Sequence, residues 1–541
     1  MLMWLNGNNP ASKMGARLRN HSYLCDDQKN ISDFYDQAKV FITGATGFVG
    51  KALVEKLLRS CPKVDAIFIL MRPKKGIQVE QRLKELLKNP VFNRIRDKDP
   101  DAFEKVKVIP GDVALPNLGL CEEDRKFLVD NIDIVFHSAA TVKFNENLKT
   151  AVILNTLGTK KILELCQNMK KLKSCVHVST AFSNSDKRVV EEKVYKPTYD
   201  AHAVINLIEN LPDEVVESLS PKLMDKHPNT YTFAKALAEQ LVLEYSHEIP
   251  TAIVRPSIIT AAWKEPYPGW VDNLSGITGI VMECGRGTIK SIICNERCRM
   301  DLVPVDIVVN TLITSAWHTV AHKSNSLRVY NCTSGRLNPV TWKQFGEFTH
   351  KHSYQWPSKY VTWYPEFSYT TNRTVHSIYT TLYHNLPSVL LDVFLYCTGK
   401  KTMMLKLSRR LNQSLEAGSF FSTNEWEFGS ASYKELIAAV EDAGDGSEFS
   451  VDLTLGKGFD WETYVGEFLK GVRTYILKDD LISLPAAKKK LHRLYWFKQI
   501  SQSLPYIVIF QMARYTFQMK MLSQTIQNLP WNDTINTTSL H

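Results

Sequence analysis

Long apolar runs are missing from this chain of 541 residues. Two segments in its C-terminal third come nearest. Leu386–Tyr396 is interrupted by Asp392, and Pro505–Phe510 is followed by Gln511, Met512, Ala513 and Arg514. Neither reaches the roughly eighteen uninterrupted apolar residues of a membrane span. The stretch Met1 to Pro10 lacks the apolar length of a secretory signal, which takes weight from the sequons at Asn331, Asn532 and Asn536. Cysteines number ten but form no framework, as expected of a reducing compartment. Cys294 and Cys298, with Cys284 upstream, are their one cluster. With no histidine close by and no second pair, they read as buried free thiols, and no metal is expected. No basic repeat interleaved with aromatics and no finger spacing occurs, so nucleic acid is not an expected partner. Internal repeats and low-complexity tracts are also absent.

What is present describes a globular protein with more than one core: 44% hydrophobic and 23% charged residues. The net charge of +10, from 66 basic and 56 acidic residues, suits anionic ligands: a phosphorylated cofactor, a coenzyme A ester or a membrane face.

Thr43-Gly44-Ala45-Thr46-Gly47-Phe48-Val49-Gly50 joins an apolar run, Lys39–Ile42, to an amphipathic pattern over 51–58. Strand, glycine turn and helix form the context of a dinucleotide fingerprint. Gly44 serves the tight turn, Gly47 lets the backbone approach a pyrophosphate, and Gly50 allows close helix packing. The anion then meets the unpaired N–H groups at the positive end of the helix. Without a ligand the same residues make an ordinary glycine turn. The G-x-x-G-x-x-G spacing is similar to that of short-chain dehydrogenases/reductases. Apolar strands alternate with helical stretches from Lys39 to about Leu165: Ala66–Leu70, Val106–Pro110 and Ile132–His137. Cys175–Ser179 and Thr251–Arg255 add two more. The alternation predicts an α/β fold, a doubly wound parallel sheet with helices on both faces. It loosens after Ser334-Gly335-Arg336, and Tyr354–Tyr369 reads as a connector into a smaller unit.

Tyr231 and Lys235 form a Y-x-x-x-K pair opening a helical run, so phenol and ammonium share one face. An ammonium beside it is expected to lower the tyrosine pKa and ease proton donation near neutrality. Ser179 and Thr180 stand where parallel strands present ligand-contacting hydroxyls, although a strand-end cap would look the same. After the second strand, Met71-Arg72-Pro73-Lys74-Lys75 offers cations where an NAD enzyme would carry a carboxylate. Arg72 can pair bidentately with a 2′-phosphate, so NADP is expected; the competing reading is a solvated basic loop. Asp112 and Val113 are placed to contact adenine, and Ser138-Ala139-Ala140-Thr141 gives a small-residue passage for the cofactor. His137 reads as a satisfied core histidine. Arg255-Pro256-Ser257-Ile258 would edge the nicotinamide, or form a plain turn. Lys488-Lys489-Lys490-Leu491-His492-Arg493 with Leu494-Tyr495-Trp496-Phe497 suits either a membrane interface or a solvated helix.

Taken together, the chain resembles the alcohol-forming fatty acyl-CoA reductases of the insect type, from about Phe34 to about Tyr475. The resemblance runs through Thr43–Gly50, 136–142, 178–181 and 231–239. Pro268-Gly269-Trp270-Val271-Asp272-Asn273, Asp301–Asp306, His384-Asn385-Leu386-Pro387 with Asp392, Asn424-Glu425-Trp426 and Asp460–Tyr464 extend it. It implies a leader over 1–33, an NADP-binding extended short-chain reductase domain over 34–345 and a mainly helical domain over 346–475. A basic, aromatic tail over 476–541 follows. By the same resemblance Tyr231 is the acid, Lys235 its tuner and ribose contact, and Thr180, with Ser179, the carbonyl orienter. Two NADPH reduce a long-chain acyl-CoA through a bound aldehyde to a primary alcohol. The expected location is an endoplasmic reticulum or lipid-droplet membrane surface, with the peroxisome second, because Ser539-Leu540-His541 is not the peroxisomal address. A sterol or nucleotide-sugar dehydrogenase and a non-catalytic cofactor sensor are the other readings.

Overall fold

The computed structural model describes residues 30–74, 76–321 and 326–527. Most of the expected leader (1–29), Lys75, the sequons at Asn532 and Asn536 and the terminal Ser539-Leu540-His541 lie outside the described residues. Seven strands make one parallel sheet: β1 (Lys39–Thr43), β2 (Ala66–Met71), β3 (Val106–Pro110), β4 (Ile134–His137), β5 (Ser174–Val178), β6 (Thr251–Pro256) and β7 (Arg328–Cys332). Their order is β7-β6-β5-β4-β1-β2-β3, every pairing parallel. The strands read as unbroken apolar runs because both faces are covered. Val40 and Ile42 of β1 enter one buried cluster while Phe41 between them enters the other. The seventh strand, Arg328–Cys332, is one the sequence reading did not mark.

Strand order reverses between β1 and β4, the switch point at which ligands bind in open α/β sheets. Helix α1 (Phe48–Ser60) follows β1 at that point. Its expected exposed polar face is a correction: Glu55 and Lys56 are both buried. The loop at Glu265 and, from the C-terminal part, Glu448 cover them. Lys56 Nζ donates to Glu265 at 2.6 Å and to the Glu448 carbonyl at 2.7 Å, and Arg59 pairs with Glu55 at 2.8 Å. Helix α2 (Thr230–Tyr245) begins at Asn229, whose side chain accepts from Thr232 N, and so carries Tyr231 in its first turn.

Beyond β7 the chain is mainly helical: α3 (Trp342–Gln355), α4 (Leu386–Cys397), α5 (Met404–Thr423), α6 (Ala431–Asp442), α7 (Trp461–Gly471) and α8 (Leu484–Gln527). The boundary expected at 345/346 falls inside α3. Tyr433, Trp461, Tyr464 and Phe468 share the buried cluster of Val40 and Ile42, so the helical part packs onto the sheet's own core. The segments that carried the family resemblance are the joints. Tyr464 Oη donates to the Ala261 carbonyl at 2.6 Å and Trp461 Nε1 to the Asn338 carbonyl at 3.0 Å. Asp306 accepts from the backbone N–H groups of Trp263, Lys264 and Glu265. Cys284, Cys294 and Cys298 are buried free thiols. Among the described residues no helix is long and apolar enough to cross a membrane.

One joint admits no side chain: Gly471 of α7 lies directly against the backbone of Gly269, which itself has φ 76°. Gly471→Ala is expected to overpack this contact and destabilise by about 1–3 kcal/mol. A lowered thermal midpoint checks this, and an unchanged midpoint would contradict it.

Candidate active site

Three strand ends and the first turn of α2 meet at the switch point. Gly44, at φ 77°, makes a turn that a side chain would close, since a Cβ there would stand 2.7 Å from Ala139 N. A Cβ on Gly50 would collide with the Gly44 carbonyl, so α1 approaches the turn closely only because residue 50 is glycine. Gly47 is the N-cap of α1 and brings no capping side chain, which leaves the first N–H groups, from Phe48 onward, unpartnered by one. Thr46 and Gly47 are exposed and Phe48 and Val49 half-buried. This cradle fits a pyrophosphate: an open, positive helix end on a turn lacking side chains. Thr43 is buried, its hydroxyl bonded to His137 Nδ1 at 2.8 Å and accepting from Ala139 N at 3.2 Å. His137 is satisfied in the core, with Nε2 at 3.0 Å from Thr159 Oγ1, and burial presses its pKa down to about 3.

The other expected cofactor contacts gather around the same crevice. Arg72 leaves β2 with its side chain 65% exposed, 3.4 Å from Asp112, whose other oxygen accepts from Ala114 N. Val113 is buried against Gly158. Ser138, Ala139, Ala140 and Thr141 run half-buried from β4, fixed by Asn155, which accepts from Thr141 N at 2.8 Å and donates back to its carbonyl at 3.0 Å. Pro256 ends β6, Ser257 is buried, and Ile258 starts a short pairing with Leu302.

The Thr180 hydroxyl, which accepts from Phe182 N at 3.3 Å, stands near enough to the Tyr231 phenol to pull its pKa downward. Lys235 is buried, and its Nζ donates to the Val178 carbonyl at 2.6 Å, next to Ser179 and Thr180. The expected lowering of the tyrosine pKa is corrected. Burial pushes the phenol up to about 12, against a smaller downward pull from Thr180, and brings Lys235 down to about 8. The ammonium is turned to a carbonyl rather than to the phenol. Tyr231 therefore keeps its proton at neutral pH.

Ser179 does not face the crevice with Thr180. Its hydroxyl donates to Glu239 at 2.5 Å, and Ser183 donates to the same oxygen at 3.1 Å. Glu239 pairs bidentately with Arg255, at 2.8 and 2.6 Å, with both side chains at most 1% exposed. Arg255 also donates to the carbonyls of Glu191 and Lys193. Arg255, expected at the edge of the nicotinamide, instead has its guanidinium buried in this pair, which sequence reasoning missed. An acid inside the apolar run 236–242, and an arginine inside a buried strand, were its available signals. Also missed was Phe144, 6.0 Å from the Tyr231 ring and 5.2 Å from Phe421 of α5. Phe182, two residues past Thr180, packs on Phe421, Trp426 and Phe428. The helical part thus walls the site with aromatic rings.

A nucleotide crevice and a hydroxyl pair under an apolar wall have known counterparts. The NAD-binding model described as male sterility protein matches residues 42–312, and the Sterile model of the same description matches 383–479. Fatty acyl-CoA reductase 1 of Rattus norvegicus is 37% identical over 466 residues, covering 86% of this chain and 90% of its own. The chain belongs to the fatty acyl-CoA reductase family. Fatty acyl-CoA reductase 2 of Bos taurus is 36% identical over 86% of this chain and 89% of its own. The reductase domain of a nonribosomal peptide synthetase from Mycobacterium tuberculosis shares the fold. Its TM-score is 0.54 at 19% identity, over 82% of this chain and 93% of that one. As a family member the chain is an oxidoreductase with a site for a nicotinamide cofactor.

Arg255→Met would leave Glu239 buried without its partner, at a cost of about 3–5 kcal/mol. Denaturant unfolding is expected to show a loss of that size; a loss below about 1 kcal/mol would contradict the pair's place in the core.

Proposed function

We propose that this family member reduces long- and very-long-chain fatty acyl-CoA to a primary fatty alcohol and CoA through a bound aldehyde, with two NADPH per turnover. The observation that carries this reading is the Tyr231–Thr180 hydroxyl pair beneath a wall of Phe144, Phe421, Phe182 and Trp426. Such a wall suits an alkyl chain and offers a sugar few hydrogen-bond partners. Family membership points the same way, against the sterol, nucleotide-sugar and sensor readings.

Bound on the glycine turn and along 138–141, the cofactor supplies hydride. Thr43, Gly44, Thr46, Gly47, Phe48, Val49 and Gly50 would hold its pyrophosphate region, with Asp112 and Val113 near the adenine and Pro256, Ser257 and Ile258 near the nicotinamide. Arg72, exposed and free to swing from Asp112, supports a preference for the 2′-phosphate. Tyr231 donates its proton to the oxygen that gains charge in each reduction, and Thr180, beside the phenol, offers that oxygen a second donor. Lys235, held on Val178, keeps cationic charge beside the ribose. Ser179 acts through Glu239, as a positioning residue for the strand end.

We take 34–345 as the reductase unit, 346–475 as the acyl-side unit and 476–541 as a tail at a membrane surface. The endoplasmic reticulum or lipid droplet is our first assignment and the peroxisome second. Support comes from exposed Trp496, Phe497, Tyr506 and Phe510 on α8, beyond the basic run at Lys488.

Tyr231→Phe is expected to lower alcohol formation from acyl-CoA by about 10²–10⁴-fold, with cofactor binding nearly intact. Wild-type turnover in that variant would overturn the acid assignment. Arg72→Glu should weaken NADPH binding far more than NADH binding in fluorescence titrations, whereas equal losses would separate Arg72 from the 2′-phosphate.

A further inference from the structure

Helix α4 is apolar yet buries none of its residues. Leu386, Val389, Leu390, Leu391, Val393, Phe394 and Tyr396 are between 39% and 77% exposed. At about 100° per residue they sweep roughly 220° of the helix circumference. A groove on a protein partner covers one face of a helix, whereas lipid covers every side left open. Such a patch on a soluble surface marks a contact with something apolar.

The charges around it say what kind. Between Arg373 and Leu415 the sequence holds a single acid, Asp392, against Arg373, Lys400, Lys401, Lys406, Arg409 and Arg410. The Asp392 carboxylate accepts the backbone N–H groups of Met403, Met404 and Leu405 at 2.9 Å each, so it caps α5 and its charge is spent on that helix end. The residue that interrupts the apolar run in the sequence is thus what folds α4 and α5 into a hairpin. Lys400, Lys401, Lys406, Arg409 and Arg410 are exposed, and among the described residues none of them is in an ion pair. A second copy on a two-fold axis would bring these cations against themselves. An anionic lipid surface would not.

The length of α4, 12 residues or about 18 Å, is too short to span a bilayer. The hairpin base is fixed to the body, where His384 Nε2 accepts from Lys290 N at 3.1 Å, and closed on itself, where Asn385 Oδ1 accepts from Ser408 and Asn412 of α5. At its far end α5 carries Phe421, which packs on Phe144 beside Tyr231.

We infer that the α4–α5 hairpin is a monotopic membrane-docking surface. Helix α4 lies in the interface of one leaflet, the lysines and arginines sit at anionic headgroups, and α5 joins this surface to the aromatic wall of the active site. The inference rests on the membrane reading proposed above and moves the principal contact from the tail to the hairpin.

The test is flotation of the full-length protein with vesicles of phosphatidylcholine, with and without phosphatidylserine. Leu390→Glu/Phe394→Glu alters two exposed side chains, so thermal midpoint and NADPH binding should match wild type. Its binding to the anionic vesicles should fall by at least about tenfold. Lys400→Ala/Lys401→Ala should lose about fivefold per lysine on anionic vesicles and nothing on neutral ones. Ile507→Glu/Phe510→Glu, on α8, should retain most of the binding. Equal binding by wild type and Leu390→Glu/Phe394→Glu would overturn the hairpin assignment, and so would loss of binding in the α8 variant alone. No vesicle binding by wild type, with the hairpin variant shifting a dimer to a monomer, would replace lipid with a second copy. Wild type that binds no vesicles at all would overturn both the inference and the membrane reading beneath it. Turnover of acyl-CoA in detergent, measured alongside, separates these failures from failure of the reductase reading.

Discussion

A carboxylate buried against a guanidinium holds the corner of the candidate active site in place. Glu239 sits on α2, two turns beyond Tyr231, and Arg255 sits on β6. Their bidentate contact locks the helix that carries Tyr231 to the strand that borders the crevice. The hydroxyls of Ser179 and Ser183 donate to the same carboxylate, which sets the strand end from which Thr180 meets the phenol. The remaining guanidinium donors reach the carbonyls of Glu191 and Lys193. Between those two residues, Glu192 accepts from the backbone N–H groups of Ser432 and Tyr433 at the start of α6. The helix of Tyr231, the strand end and the helical part are thus tied through one desolvated pair. Such a pair adds little net stability over apolar packing, but it fixes geometry because neither charge tolerates losing the other.

The helical part is more than an appendage to a nucleotide-binding sheet. It shares the sheet's core through Tyr464 and Trp461, covers the first helix through Glu448, and supplies the aromatic wall through Phe421, Trp426 and Phe428. The sheet part presents the proposed acid, a hydroxyl and the glycine cradle. The helical unit gives the crevice an apolar side, and that is what distinguishes an acyl site from a sugar site on the same fold.

Much of this was legible in the sequence because it depends on local pattern. Six of the seven central strands showed as apolar runs, since a parallel sheet buries both faces. The glycine turn and Tyr231 with Lys235 showed through spacing. What stayed hidden depends on long-range contact. Nothing local tells that Glu239 meets Arg255, or that Phe421 reaches Phe144 across the chain. The direction of the Tyr231 shift was misread for the same reason: spacing reveals a neighbouring lysine, but not that burial outweighs it or that the ammonium turns to Val178. Glu55 and Lys56 looked like a solvated face because the segments covering them, around Glu265 and Glu448, are distant in sequence. Asp392 looked like a break in an apolar run until α5 was seen beginning on its carboxylate.

The central claim is that one site adds hydride twice to the same carbon. Incubation with long-chain acyl-CoA and NADPH carrying deuterium at the transferable position, followed by mass spectrometry of the extracted lipid, tests it most directly. The account predicts a primary alcohol with two deuterium atoms on its first carbon and little free aldehyde. Aldehyde as the final product, or an alcohol with a single deuterium, would contradict it.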